Sequence, residues 1–61
     1  MPMSGDEILK LYLKNGWRFA RQRGSHVIVQ KDGEAPETIP MHRELKKGLE
    51  QKLLKRLKGK K

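Results

Sequence analysis

The sequence predicts an α+β domain ordered helix, three strands, helix, with both helices on one face of a three-stranded antiparallel sheet. Three observations carry this. A capped amphipathic segment opens the chain. Short β-branched and aromatic runs, broken by Arg-Gly and Asp-Gly turns, fill its middle, and leucines spaced by four close it. At 61 residues the chain is expected to form one domain over 1–61 with a single small core.

The first helix is expected over residues 4–15. Ser4-Gly5-Asp6-Glu7 is a capping box, in which the Ser4 hydroxyl accepts from the Glu7 amide while Glu7 reaches back. Ile8, Leu9, Tyr12 and Leu13 recur at helical spacing, and Asn15-Gly16 ends the helix. Trp17 to Gln22 then alternates, with Trp17 and Phe19 on one side and Arg18 and Ala20 on the other. Arg23-Gly24 turns the chain into Ser25 to Lys31, where Val27, Ile28 and Val29 leave both faces open as the core side. Asp32-Gly33 marks the next turn, and Glu37 to Pro40 forms a short third strand.

Leu45, Leu49, Leu53 and Leu57 form a helical stripe that Leu54 widens. Gly48 costs about 1 kcal/mol relative to Ala inside a helix. A single turn over Glu44 to Lys47 followed by a helix over about 48–58 is therefore favoured over one long helix. Residues 59–61 are expected to fray. Both helices have one apolar face and the sheet is too small for a sandwich, so they are expected to share one sheet face. The buried set should include Ile8, Leu9, Tyr12, Leu13, Leu49, Leu53 and Leu57, with Trp17 or Phe19. This is the layout of a double-stranded-RNA-binding-like fold, which by itself settles little about function.

Charge narrows the choice. Lys and Arg total 15 against 7 acids, a net charge of +8, and residues 41–61 hold +7 of it. A small protein this basic usually meets a polyanion, although a Lys-rich solvated helix would account for part of the charge. With no cysteines there is no disulfide framework and no thiolate zinc site. No apolar run approaches a membrane span, and no secretory stretch opens the chain. A soluble, cytoplasmic protein with no membrane partner is expected.

His26 and His42 are the only histidines, and neither has metal-ligand spacing to the scattered acids. No metal site and no cofactor are expected. Arg21-Gln22-Arg23-Gly24-Ser25-His26 stands out. A histidine just past a glycine turn starts a strand, and two arginines before it can bring a phosphate alongside. Histidine can take a proton from a ribose 2′-hydroxyl or give one to a leaving oxygen. Arg or Lys nearby would stabilise charge developing on phosphate. On residue chemistry alone, a histidine that merely fills a strand surface is the commoner case.

Gly16-Trp17, the run from Arg21 to His26, Ile39-Pro40-Met41-His42 and Glu44-Leu45-Lys46-Lys47-Gly48, in this order, resemble the HicA toxin family. These are small mRNA interferases of HicAB toxin–antitoxin systems. The resemblance runs from the first helix to about Leu54. It implies a double-stranded-RNA-binding-like fold and RNA cleavage by the histidine of the Gly-Ser-His motif, which is His26. The family's other histidine, in the Pro-x-His motif, falls on His42, which is expected to be structural or phosphate-contacting, a secondary candidate beside His26. The chain departs from the family pattern at Leu49, where many relatives have Thr, and in its basic ending.

The resulting expectation is a metal-independent mRNA endoribonuclease that inhibits translation. A HicB-like antitoxin would neutralise it by covering the sheet face that carries His26. Arg21, Arg23, Ser25, Lys31, Lys46 and Lys47 are the expected RNA contacts. The alternative is a basic RNA-binding module without catalysis, since such a surface binds phosphates without needing a histidine.

Overall fold

A computed structural model describes residues 2–58. The elements follow the expected order: α1 (Gly5–Lys14), β1 (Arg18–Arg23), β2 (His26–Gln30), β3 (Glu37–Pro40) and α2 (Lys47–Lys58). The tail expected to fray, residues 59–61, lies outside the described residues.

Helix α1 begins as its sequence dictates. Ser4 Oγ accepts from the Glu7 amide at 3.1 Å, and Glu7 Oε1 accepts from the Ser4 amide at 2.9 Å. It ends in a Schellman motif. The Trp17 amide donates to the Tyr12 carbonyl at 3.1 Å, and the Gly16 amide to that of Leu13 at 3.4 Å. The motif brings the Trp17 ring onto Tyr12, with centroids 5.0 Å apart.

The strands form an antiparallel meander, β1-β2-β3. Directly paired residues share a face. Val27 lies opposite Ile39, and Val29 opposite Glu37. These four are buried, so theirs is the core face. The choice between faces that the Val27-Ile28-Val29 run left open is thereby made, with Ile28 on the outer side.

One cluster closes the interior: Ile8 and Tyr12 from α1, Trp17, the strand residues Val27, Val29 and Ile39, then Leu45 and Leu53. Both helices pack into it from the same side of the sheet. Leu9, Leu49, Leu54 and Leu57 pack partly buried against its edge. Leu13, expected in the core, is 44% exposed. It sits in the last turn of α1, one position on from Tyr12, whose side chain takes the buried place. Of the two candidate aromatics, Trp17 is buried and Phe19 is 51% exposed.

Helix α2 starts at Lys47, one residue before Gly48, and no helical turn covers Glu44 to Lys46. Leu45 enters the core ahead of the helix, held by its amide donating to the Met3 carbonyl at 2.9 Å. Arg56 ties α2 to the sheet. Its guanidinium donates to Glu37 Oε1 and to the Ala35 carbonyl, and lies 5.0 Å from the Trp17 ring centroid. That contact pairs the carboxylate of Glu37, which is only 9% exposed on the core face.

Tyr12 joins the two helices. Its hydroxyl donates to the Leu53 carbonyl at 2.8 Å in the buried core. Burial, with the Glu37 charge adding and Arg56 opposing, pushes the phenol from its ordinary 10 to about 12. The raised value means that the stability conferred by the protonated phenol is complete below pH 10 and is lost as pH rises through about 12. Tyr12→Phe should lower unfolding free energy by about 0.5–1.5 kcal/mol at neutral pH. In urea titrations over a pH series, the gap between wild type and variant should shrink above pH 10. A gap of constant size across that range would contradict this role.

Candidate functional site

The sheet face away from the helices is open, and its composition follows from register. On β2 it carries His26, Ile28 and Gln30, and on β3 Thr38 and Pro40. β1 requires more care. Arg18 pairs with Gln30 and Phe19 with Val29, but Arg21 pairs with Ile28, leaving Ala20 as an extra residue. This bulge shifts the phase of the strand. Strict alternation would place Arg21 and Arg23 with Phe19, on the core side. Beyond the bulge, Arg21 and Arg23 instead share the open face with Arg18, and Arg23 lies directly opposite His26.

His26 owes its place to the β1–β2 hairpin. Arg23 and His26 are paired across a two-residue loop, Gly24-Ser25. Gly24 has φ +58°, and Ser25 does not have positive φ. That combination is a type II′ turn, which needs glycine first. His26 is therefore the first paired residue after the turn, exposed at one end of the sheet.

The chain leaving β3 comes back to the same end. The Met41 amide donates to the Ser25 carbonyl at 2.6 Å, and the Gly5 amide donates to the His42 carbonyl at 2.9 Å. His42 thereby stands beside His26, with ring centroids 6.5 Å apart and planes inclined at 63°. The start of α1 presses closely here. A Cβ on Gly5 would lie 1.9 Å from the Pro40 carbonyl oxygen and 2.8 Å from Met41 Cα. Only glycine permits that approach.

The remaining expected RNA contacts are spread out. Ser25 lies in the turn and supplies its carbonyl to Met41. Lys31 follows the far end of β2 from His26, and its Nζ donates to the Asn15 carbonyl at 3.0 Å. Lys46 and Lys47 sit where α2 begins, with the Lys46 carbonyl accepting from the Glu50 amide. They add positive charge to the positive end of that helix dipole.

The local acids are mostly engaged elsewhere. Asp32 pairs with Arg18 at 3.2 Å, while Glu34 and Glu37 pair with Arg56. No carboxylate pairs with Arg21 or Arg23 among the described residues. Nor do three or more His, Cys, Asp or Glu side chains converge among them.

A family model described as the HicA toxin of bacterial toxin–antitoxin systems matches residues 5–58. The chain belongs to the HicA toxin family. A solved structure titled "Toxin-Antitoxin complex from Streptococcus pneumoniae" contains a chain similar to it. The two are 39% identical with a TM-score of 0.79, and the match covers 95% of this chain and 100% of that one. No curated protein matches significantly. The HicA match spans every element described above, including the Gly-Ser-His turn and the segment through His42. No described helix is long and apolar enough to cross a membrane.

Several features of this HicA chain that shape the site escape sequence reading. Nothing in the β1 sequence announces the bulge at Ala20. The proximity of His42 to His26 arises from tertiary hydrogen bonds across 16 residues of chain. Gly5 does leave a signal, because a helix former would serve better in the first turn unless something approached closely. Gly5→Ala should lower unfolding free energy by about 1–3 kcal/mol through overpacking. Gly48→Ala, whose added Cβ meets nothing within 4 Å, should raise it by up to about 1 kcal/mol. Thermal and urea unfolding of both variants check this, and a stabilised Gly5→Ala protein would contradict the close contact.

Proposed function

We propose that this protein is a toxin that cleaves mRNA, with His26 transferring a proton in the reaction and a HicB-like antitoxin covering the open sheet face to restrain it. The observation that carries the reading is the row of Arg21 and Arg23 on the same face as His26, with Arg23 directly across from it. Membership of the HicA family supports the toxin half of the reading, and the related chain in a toxin–antitoxin complex supports the partner.

The chemistry is transesterification within the RNA. The ribose 2′-oxygen attacks its own phosphodiester, so the O2′–P bond forms and the P–O5′ bond breaks. The products are a 2′,3′-cyclic phosphate and a 5′-hydroxyl. A proton leaves O2′ and another arrives at O5′, and in this reading His26 serves one of these transfers. Arg21 and Arg23 hold the phosphate and stabilise the charge that grows on it. Lys46 and Lys47 extend the basic surface along which the strand is held, and Lys31 lies at its far end. The net charge of +8 favours rapid capture of RNA and, in competition, of an acidic antitoxin surface.

The test is cleavage of an mRNA by wild type and His26→Ala, with and without EDTA, followed by analysis of the new ends. Removing one proton-transfer group should slow cleavage by about 10²–10⁴-fold. RNA binding and stability should be little changed, because an exposed histidine contributes little packing. Wild-type activity should persist in EDTA and leave cyclic or 3′-phosphate ends. Full activity of His26→Ala, or loss of wild-type activity on chelation, would overturn the mechanism. RNA binding by both proteins with cleavage by neither would reduce the function to a binding module.

A further inference from the structure

We infer that His42 is a second catalytic histidine, forming with His26 a base–acid pair across a single phosphodiester; the inference rests on the ribonuclease reading above. Two proton transfers are needed, one from the attacking O2′ and one to the departing O5′. In an in-line displacement those oxygens lie on opposite sides of phosphorus, so a single imidazole is poorly placed to serve both. The structure offers two. His26 and His42 are both exposed, at the same end of the sheet, with ring centroids 6.5 Å apart. At that separation the rings are too far apart to hydrogen-bond to each other. Arg23 flanks His26 from β1, while His42 follows β3 on the other side of β2.

The imidazole of His42 has no visible structural duty. Position 42 is held by its main chain, through the carbonyl that accepts from the Gly5 amide. The adjoining Met41 amide anchors the same segment to the Ser25 carbonyl. No hydrogen bond to either imidazole is present among the described residues. The backbone fixes where the ring stands, and the ring itself remains free for substrate. In the proposed step, one neutral imidazole takes the O2′ proton as the O2′–P bond forms. The other, as imidazolium, gives its proton to O5′ as the P–O5′ bond breaks. The pair ends with its two protonation states exchanged and no net change in protons.

A change of leaving group separates the two roles. A thiolate departs without needing a proton, so an RNA whose bridging 5′-oxygen is replaced by sulfur bypasses the acid but still requires the base. Wild type, His26→Asn and His42→Asn are compared on short RNAs with oxygen or sulfur at that position. His42→Gln runs alongside, so that a folding defect in one variant does not stand for the loss of a proton. Affinity for a 2′-O-methyl RNA, which lacks the nucleophile, reports that each variant still folds and binds.

On the oxygen substrate, variants at both positions should lose about 10²–10⁴-fold in cleavage rate. On the sulfur substrate, variants at one of the two positions should recover to within about tenfold of wild type, while those at the other stay slow. His42 variants that bind RNA and cut the oxygen substrate at the wild-type rate would overturn the pair while leaving His26 catalysis standing. Failure of sulfur to restore either position would also overturn it. A wild-type protein that cuts neither substrate would instead sink the ribonuclease reading itself.

Discussion

Two short helices can dry only one side of a three-stranded sheet, and the rest of this structure follows from that limit. Tyr12, Ile8 and Leu53 from the helices close over Val27, Val29 and Ile39, and Trp17 and Leu45 complete the buried cluster on that side. The hydrogen bond from Tyr12 to the Leu53 carbonyl locks the two covering helices to each other. The opposite sheet face has nothing left to cover it. Polar and charged side chains therefore occupy it at no packing cost, which is what an electrostatic RNA-binding surface requires. Glu37 shows the sorting at work. It points into the core side, where Arg56 pairs with it, and its charge is kept off the basic face.

Placement of the proposed catalytic groups is done almost entirely by main chain. The Gly24-Ser25 turn starts β2 at His26. The Met41–Ser25 hydrogen bond brings the post-β3 segment alongside, and the Gly5–His42 hydrogen bond holds that segment against the start of α1. Each is a backbone contact, so the imidazoles and guanidinium groups are positioned without being consumed in structural bonds. The bulge at Ala20 completes the arrangement by rotating Arg21 and Arg23 onto the histidine side. The first helix, remote in sequence from the Gly-Ser-His motif, is mechanically part of the site through Gly5.

The sequence made the elements legible because their signals are local. The capping box of Ser4 and Glu7, the Asn15-Gly16 stop and the Glu37 to Pro40 strand all appear as expected. The break near Gly48 is also present, although the segment before it is not helical. What sequence periodicity could not deliver depends on tertiary neighbours. Leu13 continues the apolar spacing of α1, yet it stays 44% exposed while Ile8 and Tyr12 take the buried places. Phe19 matches the alternation of Trp17, but Trp17 is drawn inward by the Schellman motif while Phe19 stays largely exposed. The arginine row depends on a one-residue bulge, and the pairing of the two histidines depends on hydrogen bonds between distant segments. The motifs that carry the proposed site are therefore readable in the sequence, and their mutual geometry is not.

The central claim is that RNA lies on the open sheet face across Arg21, Arg23 and His26. The most direct measurement is a titration of isotopically labelled protein with 2′-O-methyl RNA, followed by amide and imidazole chemical shifts. The account predicts that the largest shifts fall on Arg21, Arg23, Ser25, His26, Thr38 and His42, while Leu9, Leu13 and Leu54 on the helical side hardly move. Shifts concentrated on the helices, with the sheet face silent, would contradict it.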